Sequence, residues 1–489
     1  MAFSDAYRPA ARFEALGAEF SDPVDPADFP EAQPRWWNKP WADAVGLGGL
    51  NASQKTAHFA RFDPLRDNQS GPLALRYHGH QFRVYNPEIG DGRGFLFAQL
   101  RDGDGRLLDF GTKGSGQTPY SRRGDGRLTL KGAVREILAA EMLETLGVYT
   151  SKVFSVFETG EQLHRGDEPS PTRSAVMTRL QHSHVRFGMF QRHAFHERAD
   201  LVETLMDYAI ENFHPGADEG DASSRSAALL DEVGKASARL AAQWMAAGFV
   251  HGVLNTDNLV VTGESFDYGP WRFLPHFEPG FTAAYFDETG LYAFARQPEA
   301  VFWALQQLAG ALSLVGERDG LIASLEAFPQ HYRAALPRAF LHRLGLSGLS
   351  PEEDAGFVTG LLDWMKDSQA PWEAVFFDWF CGEASAARAL DGPRGALYAA
   401  DAFKPVRDGI EARAPVRAER LNHPRFGQAD PVHLVIETVE ALWAPIAQDD
   451  DWSALYACLD DISALRAAYG LGQDENGRRA GFLAEAGHA

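Results

Sequence analysis

Between His251 and Pro270 the chain carries side chains whose types and spacing suit phosphate chemistry. The run His251-Gly252-Val253-Leu254-Asn255-Thr256-Asp257-Asn258 is followed, nine residues after Asn258, by Asp267-Tyr268-Gly269-Pro270. A carboxylate beside a carboxamide, with a second carboxylate on a nearby turn, can hold a divalent cation against the phosphates of a nucleotide. Asn and Asp oxygens suit a hard ion such as Mg²⁺, which keeps several waters and takes few protein ligands. The segment follows a helix predicted to stop at Gly248, so it is expected on a loop. The same four residues, Asn255 to Asn258, could instead form a turn that bonds its own backbone.

The layout resembles the catalytic loop and the metal-binding Asp-Phe-Gly turn of protein kinases. Kinases place a catalytic Asp five residues before the metal-binding Asn. In this chain that position is Val253, which cannot accept a proton, and an acid stands instead at Asp257, directly before Asn258. An ordinary kinase site would lose its base, whereas a kinase-shaped site with rearranged chemistry would keep one.

Other elements must position these groups. Leu96 to Lys113 reads as a hairpin, with Phe97, Leu100, Leu107, Leu108 and Phe110 as apolar positions and Asp102-Gly103-Asp104-Gly105 as the turn. Glu136 lies 23 residues beyond Lys113, in a helix predicted over Leu130–Leu146 from Val134, Ile137, Leu138, Met142 and Leu146 and closed by Gly147. A strand Lys paired with a helix Glu positions ATP phosphates in kinases, although two solvated surface residues read the same way in sequence. Gly90-Asp91-Gly92-Arg93-Gly94 could bring backbone N–H groups close to phosphate, or could be a common turn. Gly124-Asp125-Gly126 lies among Arg122, Arg123 and Arg127, and Arg179 and Arg186 flank Ser183-His184-Val185. Convergence of these cations on one nucleotide is the expectation that a structure can test.

Several long motifs occur in order. They are Gly79-His80-Gln81-Phe82, Gly90-Asp91-Gly92-Arg93, the run from Lys113-Gly114-Ser115-Gly116 to Arg122-Arg123, Asp125-Gly126-Arg127, and His251 to Pro270. Pro279-Gly280-Phe281 and Tyr292-Ala293-Phe294 follow. Together, from about Tyr77 to about Phe302, they closely resemble the selenoprotein O family. The resemblance implies an α+β, bilobal, protein-kinase-like fold, with a mixed β-containing N-lobe and a mostly helical C-lobe carrying extra helices. It also implies transfer of AMP, not phosphate, from ATP to Ser, Thr or Tyr hydroxyls of protein substrates, with Mg²⁺ or Mn²⁺ and release of pyrophosphate. The nucleotide would lie reversed relative to kinases.

Carried over by position, the resemblance makes Asp257 the proton acceptor and Asn258 and Asp267 the metal ligands. Lys113 is the phosphate-contacting lysine and Glu136 its partner. Gly90, Gly92, Arg93, Asp125, Gly126, Arg179 and Arg186 fall where the family contacts the nucleotide. The chain also departs from the pattern: many members end in a Cys- or selenocysteine-containing tail, whereas this sequence finishes Ala484-Glu485-Ala486-Gly487-His488-Ala489 and has only Cys381 and Cys458. Control by a tail disulfide is therefore not expected.

With 489 residues, 45% of them hydrophobic, the chain can bury a large core and form two lobes or more. Its net charge of −21 argues against non-specific binding to nucleic acid or anionic membrane. Two cysteines and no apolar stretch long enough to span a bilayer point to a cytoplasmic protein, taken as a monomer. Residues 1–54 are expected as an irregular extension on the core, with Trp36-Trp37 as an anchor. Residues 55–190 form the N-lobe, with strands at Val153–Phe157 and Ala175–Thr178, and 191–489 the helical C-lobe. Helices are predicted at Ala227–Ala247 and near Pro298–Leu314, Leu321–Ala335, Glu353–Asp367 and Pro431–Ile446, with an exposed loop at Ala217–Ser224. His78 with His80, and His182 with His184, read as polar contacts, since neither pair has a third metal ligand in sight. Three functions stay open on residues alone: a protein adenylyltransferase, a kinase moving the γ-phosphate, and a nucleotide-binding scaffold of the pseudokinase type.

Overall fold

A computed structural model of the chain describes residues 3–166 and 168–471. The tail Ala484–Ala489, where the sequence lacks a cysteine, lies outside the described residues. The fold is α+β. Its strands are β1 (Ser21–Pro23), β2 (Gln33–Trp37), β3 (Leu73–Leu75), β4 (Gly79–Gln81), β5 (Val84–Asn86), β6 (Leu96–Arg101), β7 (Leu107–Lys113), β8 (Leu128–Thr129), β9 (Lys152–Leu163), β10 (Thr172–Gln181), β11 (Phe249–Val250) and β12 (Arg272–Phe273). Eight of them make one antiparallel sheet in the order β1-β3-β6-β7-β10-β9-β2, with β8 paired to β10. β4 and β5 form a separate hairpin, and β11 pairs with β12.

The expected hairpin is β6–β7. The Asp102 carboxylate accepts the N–H groups of Asp104 and Arg106 at 2.9 and 3.0 Å, and Gly105 supplies a φ of 82°. Both strands are buried along nearly their whole length because both faces of the sheet are covered. On one face Phe97, Leu100, Leu108 and Phe110 pack with Phe154, Trp41 and Phe59. On the other, Leu96, Leu107 and Met177 share a core with Val134, Ile137, Leu138 and Met142 of the Leu130–Thr145 helix.

The N-terminal segment is more regular than its composition suggests. It supplies the edge strands β1 and β2 and the helices Lys39–Ala44 and Ala52–Phe59. Pro23 and Pro34 read as breakers in sequence, but an edge strand tolerates proline because one side of its ladder is unpaired. Trp36 donates its Nε1–H to Val153 O at 2.9 Å, and Trp37 packs edge-on to Phe59 and Phe154, so this pair anchors the segment.

Helices dominate after Phe187. The Ala222–Ala247 helix starts earlier than its periodicity predicts because Asp221 caps it, accepting Ser224 N–H at 2.9 Å. The expected loop at Ala217–Ser224 is shortened accordingly, and Gly248 ends the helix in the left-handed region at φ 63°. The helix predicted to stop near Ala335 runs over Arg318–Leu344, through Pro329 and Pro337, packed along the Ala222–Ala247 helix. That tertiary packing outweighs the hydrogen bonds two prolines remove. The remaining helices lie near their predicted places at Gln297–Leu312, Pro351–Ser368 and Ile436–Asp449. Among the described residues no helix is long and apolar enough to cross a membrane.

Candidate active site

Lys113 is the last residue of β7, and the register sets Arg179 of β10 opposite Gly111, two positions before Lys113. Directly paired residues share a face, as do residues two apart, so Lys113 and Arg179 project to the same side. That side carries the Leu130–Thr145 helix, started by Thr129, whose hydroxyl accepts Gly132 N–H at 3.1 Å. Glu136, in its second turn, is 1% exposed and accepts Lys113 Nζ at 2.5 Å. Arg179 Nη2 lies 3.3 and 3.2 Å from the two Glu136 oxygens. Asp267 closes the group, its Oδ1 accepting Lys113 Nζ at 2.6 Å and Arg179 Nη2 at 3.4 Å. Burial works to raise the Asp267 carboxyl, but Lys113, Arg179, Arg93 and Arg186 outweigh it and hold it well below the usual carboxylate range. Asp267 sits at φ 63°, a conformation rare for a residue other than glycine and typical of places where function fixes the backbone.

The second half of the site is the loop Asn255–Asn258. Arg186 ties it down, donating Nη1–H to Asp257 O at 2.8 Å while Nη2–H reaches Asp91 Oδ1 at 3.2 Å. The guanidinium lies between aromatic rings, 4.6 Å from the Tyr77 centroid and 5.0 Å from that of Phe266. Asp257 is buried, and among the described residues its Oδ1 has no hydrogen-bond partner. Burial pushes its carboxyl up to about 6, with Arg186 opposing. A carboxylate held near neutrality, with one bare oxygen, is poised to take a proton. His251 is wholly buried; its backbone N–H donates to Gln297 Oε1 at 3.0 Å and its Nε2 meets Phe266 O at 2.8 Å, which joins this loop to the Asp267 turn. Val253 contributes through its backbone, since its carbonyl accepts Asn258 Nδ2–H at 3.0 Å.

Lys113, Glu136, Arg179, Asp267, Arg186 and Asp257 are thus brought together, with Arg93 near enough to act on the Asp267 charge. Gly90 and Gly92 serve close packing: a Cβ on Gly90 would lie 2.4 Å from the Tyr120 ring, and one on Gly92 2.8 Å from Tyr120 O. Ser121 and Thr118 bond the carbonyls of Gly92 and Asp91, so the two glycine-containing loops are locked together. Asp125 and Gly126 lie farther out. Asp125 pairs with Arg165 at 2.8 Å, and Gly126, at φ 71°, accepts Gly116 N–H at 3.2 Å.

The donors fit a hard divalent cation. Asn258 has committed its Nδ2, leaving Oδ1 to accept, and Lys113 and Arg179 both bond the Asp267 carboxylate through its Oδ1 rather than its Oδ2. No cluster of three His, Cys, Asp or Glu side chains suited to a metal occurs among the described residues. The two histidine pairs bond other groups: His78 to Tyr85, His80 to Gln191, His182 to Tyr149 and His184 to Asp109. Sequence reading missed the roles of Asp91, Tyr77, Phe266, Asn255 and Tyr292. Asn255 Oδ1 accepts both Phe82 N–H at 3.0 Å and Tyr292 O–H at 2.9 Å. The motifs that contain Asp91, Asn255, Phe266 and Tyr292 marked these residues without their contacts, because the partners lie far apart in the chain.

A family model described as protein adenylyltransferase SelO matches residues 4–463. The chain belongs to that family. It is 43% identical over 474 residues to the protein nucleotidyltransferase YdiU of Gloeobacter violaceus, covering 95% of this chain and 96% of the relative. It is 42% identical over 481 residues to that of Synechococcus elongatus, covering 93% and 94%. To the Vibrio cholerae protein of the same description it is 36% identical over 356 residues, 71% and 70% of the two chains. Membership makes the protein an enzyme, a protein nucleotidyltransferase with ATP as substrate and proteins as acceptors.

Proposed function

We propose that Asp257 takes the proton of an acceptor Ser, Thr or Tyr hydroxyl as the hydroxyl oxygen attacks the α-phosphorus of ATP. The bond from that phosphorus to the bridging oxygen breaks, AMP stays on the protein, and pyrophosphate leaves. The observation that carries this reading is the buried, unpartnered Oδ1 of Asp257, on a carboxyl raised to about 6, beside a cluster of cations. Lys113, Arg179, Arg186 and Arg93 take up charge on the phosphates and the departing pyrophosphate. Glu136 and Asp267 fix the direction of the first two of these side chains, so no reorganisation is needed as charge develops. Gly90, Gly92, Asp125 and Gly126 border the nucleotide. Asn258 and Asp267 would hold Mg²⁺ or Mn²⁺, which would neutralise phosphate charge when bound.

The kinase-like, bilobal arrangement belongs to the same reading. It is supported by strands concentrated before Gln181, helices after Phe187, and a site to which both parts contribute. Val253, whose carbonyl braces Asn258, stands where a kinase needs an acid, and this disfavours γ-phosphate transfer. We take the enzyme to work as a cytoplasmic monomer. Cys381 and Cys458 are free thiols that burial pushes up to about 11, in keeping with a reducing compartment.

The test uses ATP labelled on either the α- or the γ-phosphate, with Mg²⁺ or Mn²⁺, a cell extract, and Asp257→Ala as control. Protein-bound α-label that vanishes in the variant is the expected result. Bound γ-label without α-label would make the enzyme a kinase, and binding without transfer of either label would make it a scaffold.

A further inference from the structure

An acceptor protein must bring a hydroxyl to Asp257, so the surface bordering that residue has to receive polypeptide. Two segments are pinned there by one side chain, Asn255, two residues before Asp257. The first is the tip of the β4–β5 hairpin, through Phe82 N–H, and the second is the 283–292 segment, through the Tyr292 hydroxyl. Both carry apolar side chains to the surface. Tyr285 is 82% exposed and Phe286 47%, and beside the hairpin tip Val84 is 70% exposed. The rings form a continuous ridge rooted in the core: Tyr285 to Phe286 at 5.1 Å, Phe286 to the half-buried Phe82 at 5.7 Å, and Phe82 to the buried Tyr292 at 5.0 Å.

The backbone under this ridge is held rigidly. Phe82 and Arg83, the two residues of the hairpin turn, have φ of 49° and 63°, which bulky residues rarely adopt although the turn type suits a two-residue hairpin. Asp287 fixes the other segment, its two carboxylate oxygens accepting Leu291 and Tyr292 N–H at 2.8 Å each. His80 N–H donates to Thr256 Oγ1 at 2.8 Å, so the hairpin follows the Asp257 loop as one body. Exposed aromatics on a rigid frame, contiguous with the reacting group, are the usual makings of a protein-binding hot spot.

We propose that Phe82, Tyr285 and Phe286, with Val84 at the rim, are the docking surface for the acceptor protein. They receive an aromatic or long aliphatic side chain a few residues from the hydroxyl that Asp257 deprotonates. The enzyme thereby selects acceptor hydroxyls with an apolar neighbour. This rests on the role given to Asp257 above, and the test separates the two.

An array of Ser-, Thr- and Tyr-centred peptides, with neighbouring positions scanned, is incubated with α-labelled ATP and wild-type enzyme or the Tyr285→Ala/Phe286→Ala variant. Wild type is expected to label peptides with an apolar neighbour about tenfold better than those with Gly or Asp there, the size expected for burying one such side chain. In the variant that preference should flatten while ATP affinity and melting temperature hold. A second pair of exposed apolar residues, Leu349→Ala/Val416→Ala, controls for loss of surface area and should keep the preference. A preference equally strong in the Tyr285/Phe286 variant, or lost equally in the control pair, would overturn the surface while leaving the transfer chemistry standing. Absence of α-label from wild type would remove the chemistry, and the surface with it. A concentration-dependent dimer abolished by Tyr285→Ala/Phe286→Ala would assign the ridge to a second copy of the chain instead.

Discussion

Asp257 and Asp267 are the same residue type in one site, yet their surroundings drive them in opposite directions. Around Asp257 burial wins over Arg186; around Asp267 four cations win over burial. For Asp257 the folded value near 6 lies above the unfolded one, so ionising it costs stability above about pH 6, and the cost vanishes below about pH 4. Asp257→Asn should therefore abolish transfer yet melt no lower than wild type at pH 7.5, gaining at most about 3 kcal/mol. The Asp267 value is depressed, so its contribution is present above about pH 4 and lost as pH falls through the folded value. Asp267→Asn should melt below wild type at pH 7.5, with the difference shrinking on acidification; the reverse order of the two variants would disprove these electrostatic assignments. In catalysis, kcat/KM should fall tenfold per pH unit below about 6 as Asp257 takes up a proton, and a flat acid limb would exclude it as the base. The types and spacing of these residues were legible in sequence. Their opposite environments were not, because burial and four distant cations set them.

At the scale of elements, the Leu130–Thr145 helix fixes where Glu136 meets Lys113, and it is clamped from beyond. Arg466 of the Ser453–Tyr469 helix reaches Glu141 Oε2 at 2.6 Å and Glu144 Oε2 at 3.1 Å. Arg466→Met should lower kcat several-fold with little change in acceptor KM, since it loosens the helix that orients Lys113 rather than the acceptor surface. Equal loss in both constants would point to general damage. On the opposite sheet face, Phe59 is fully buried against Phe97, Phe110 and Phe154. Phe59→Ala should cost about 3–5 kcal/mol, read as a lowered midpoint in urea. The β6–β7 hairpin and the Glu136 helix could be predicted because local alternation, turn residues and helical periodicity carry them. β2 could not, since Pro34 and an irregular composition hide a strand that exists only by pairing with β9.

For the whole molecule, nucleotide and metal should act together. At a hundredfold excess over Kd, ATP with Mg²⁺ should stabilise the enzyme by about 2.7 kcal/mol. A thermal shift that chelator and Asp267→Ala both abolish would support the metal site, and a shift unchanged by either would remove it. The acidic chain concentrates Arg93, Arg179, Arg186 and Lys113 at one place, a contrast that net charge alone could not reveal. By itself the sequence determined the order of motifs, the types of the reacting groups and the family, because these are local in the chain. Only the tertiary structure decided that Lys113 meets Asp267 across 154 residues, that Arg186 meets Asp91 across 95, and that Asn255 gathers Phe82 and Tyr292 beside Asp257. Such contacts depend on strand register and on which faces the core closes, and neither is written in any one segment.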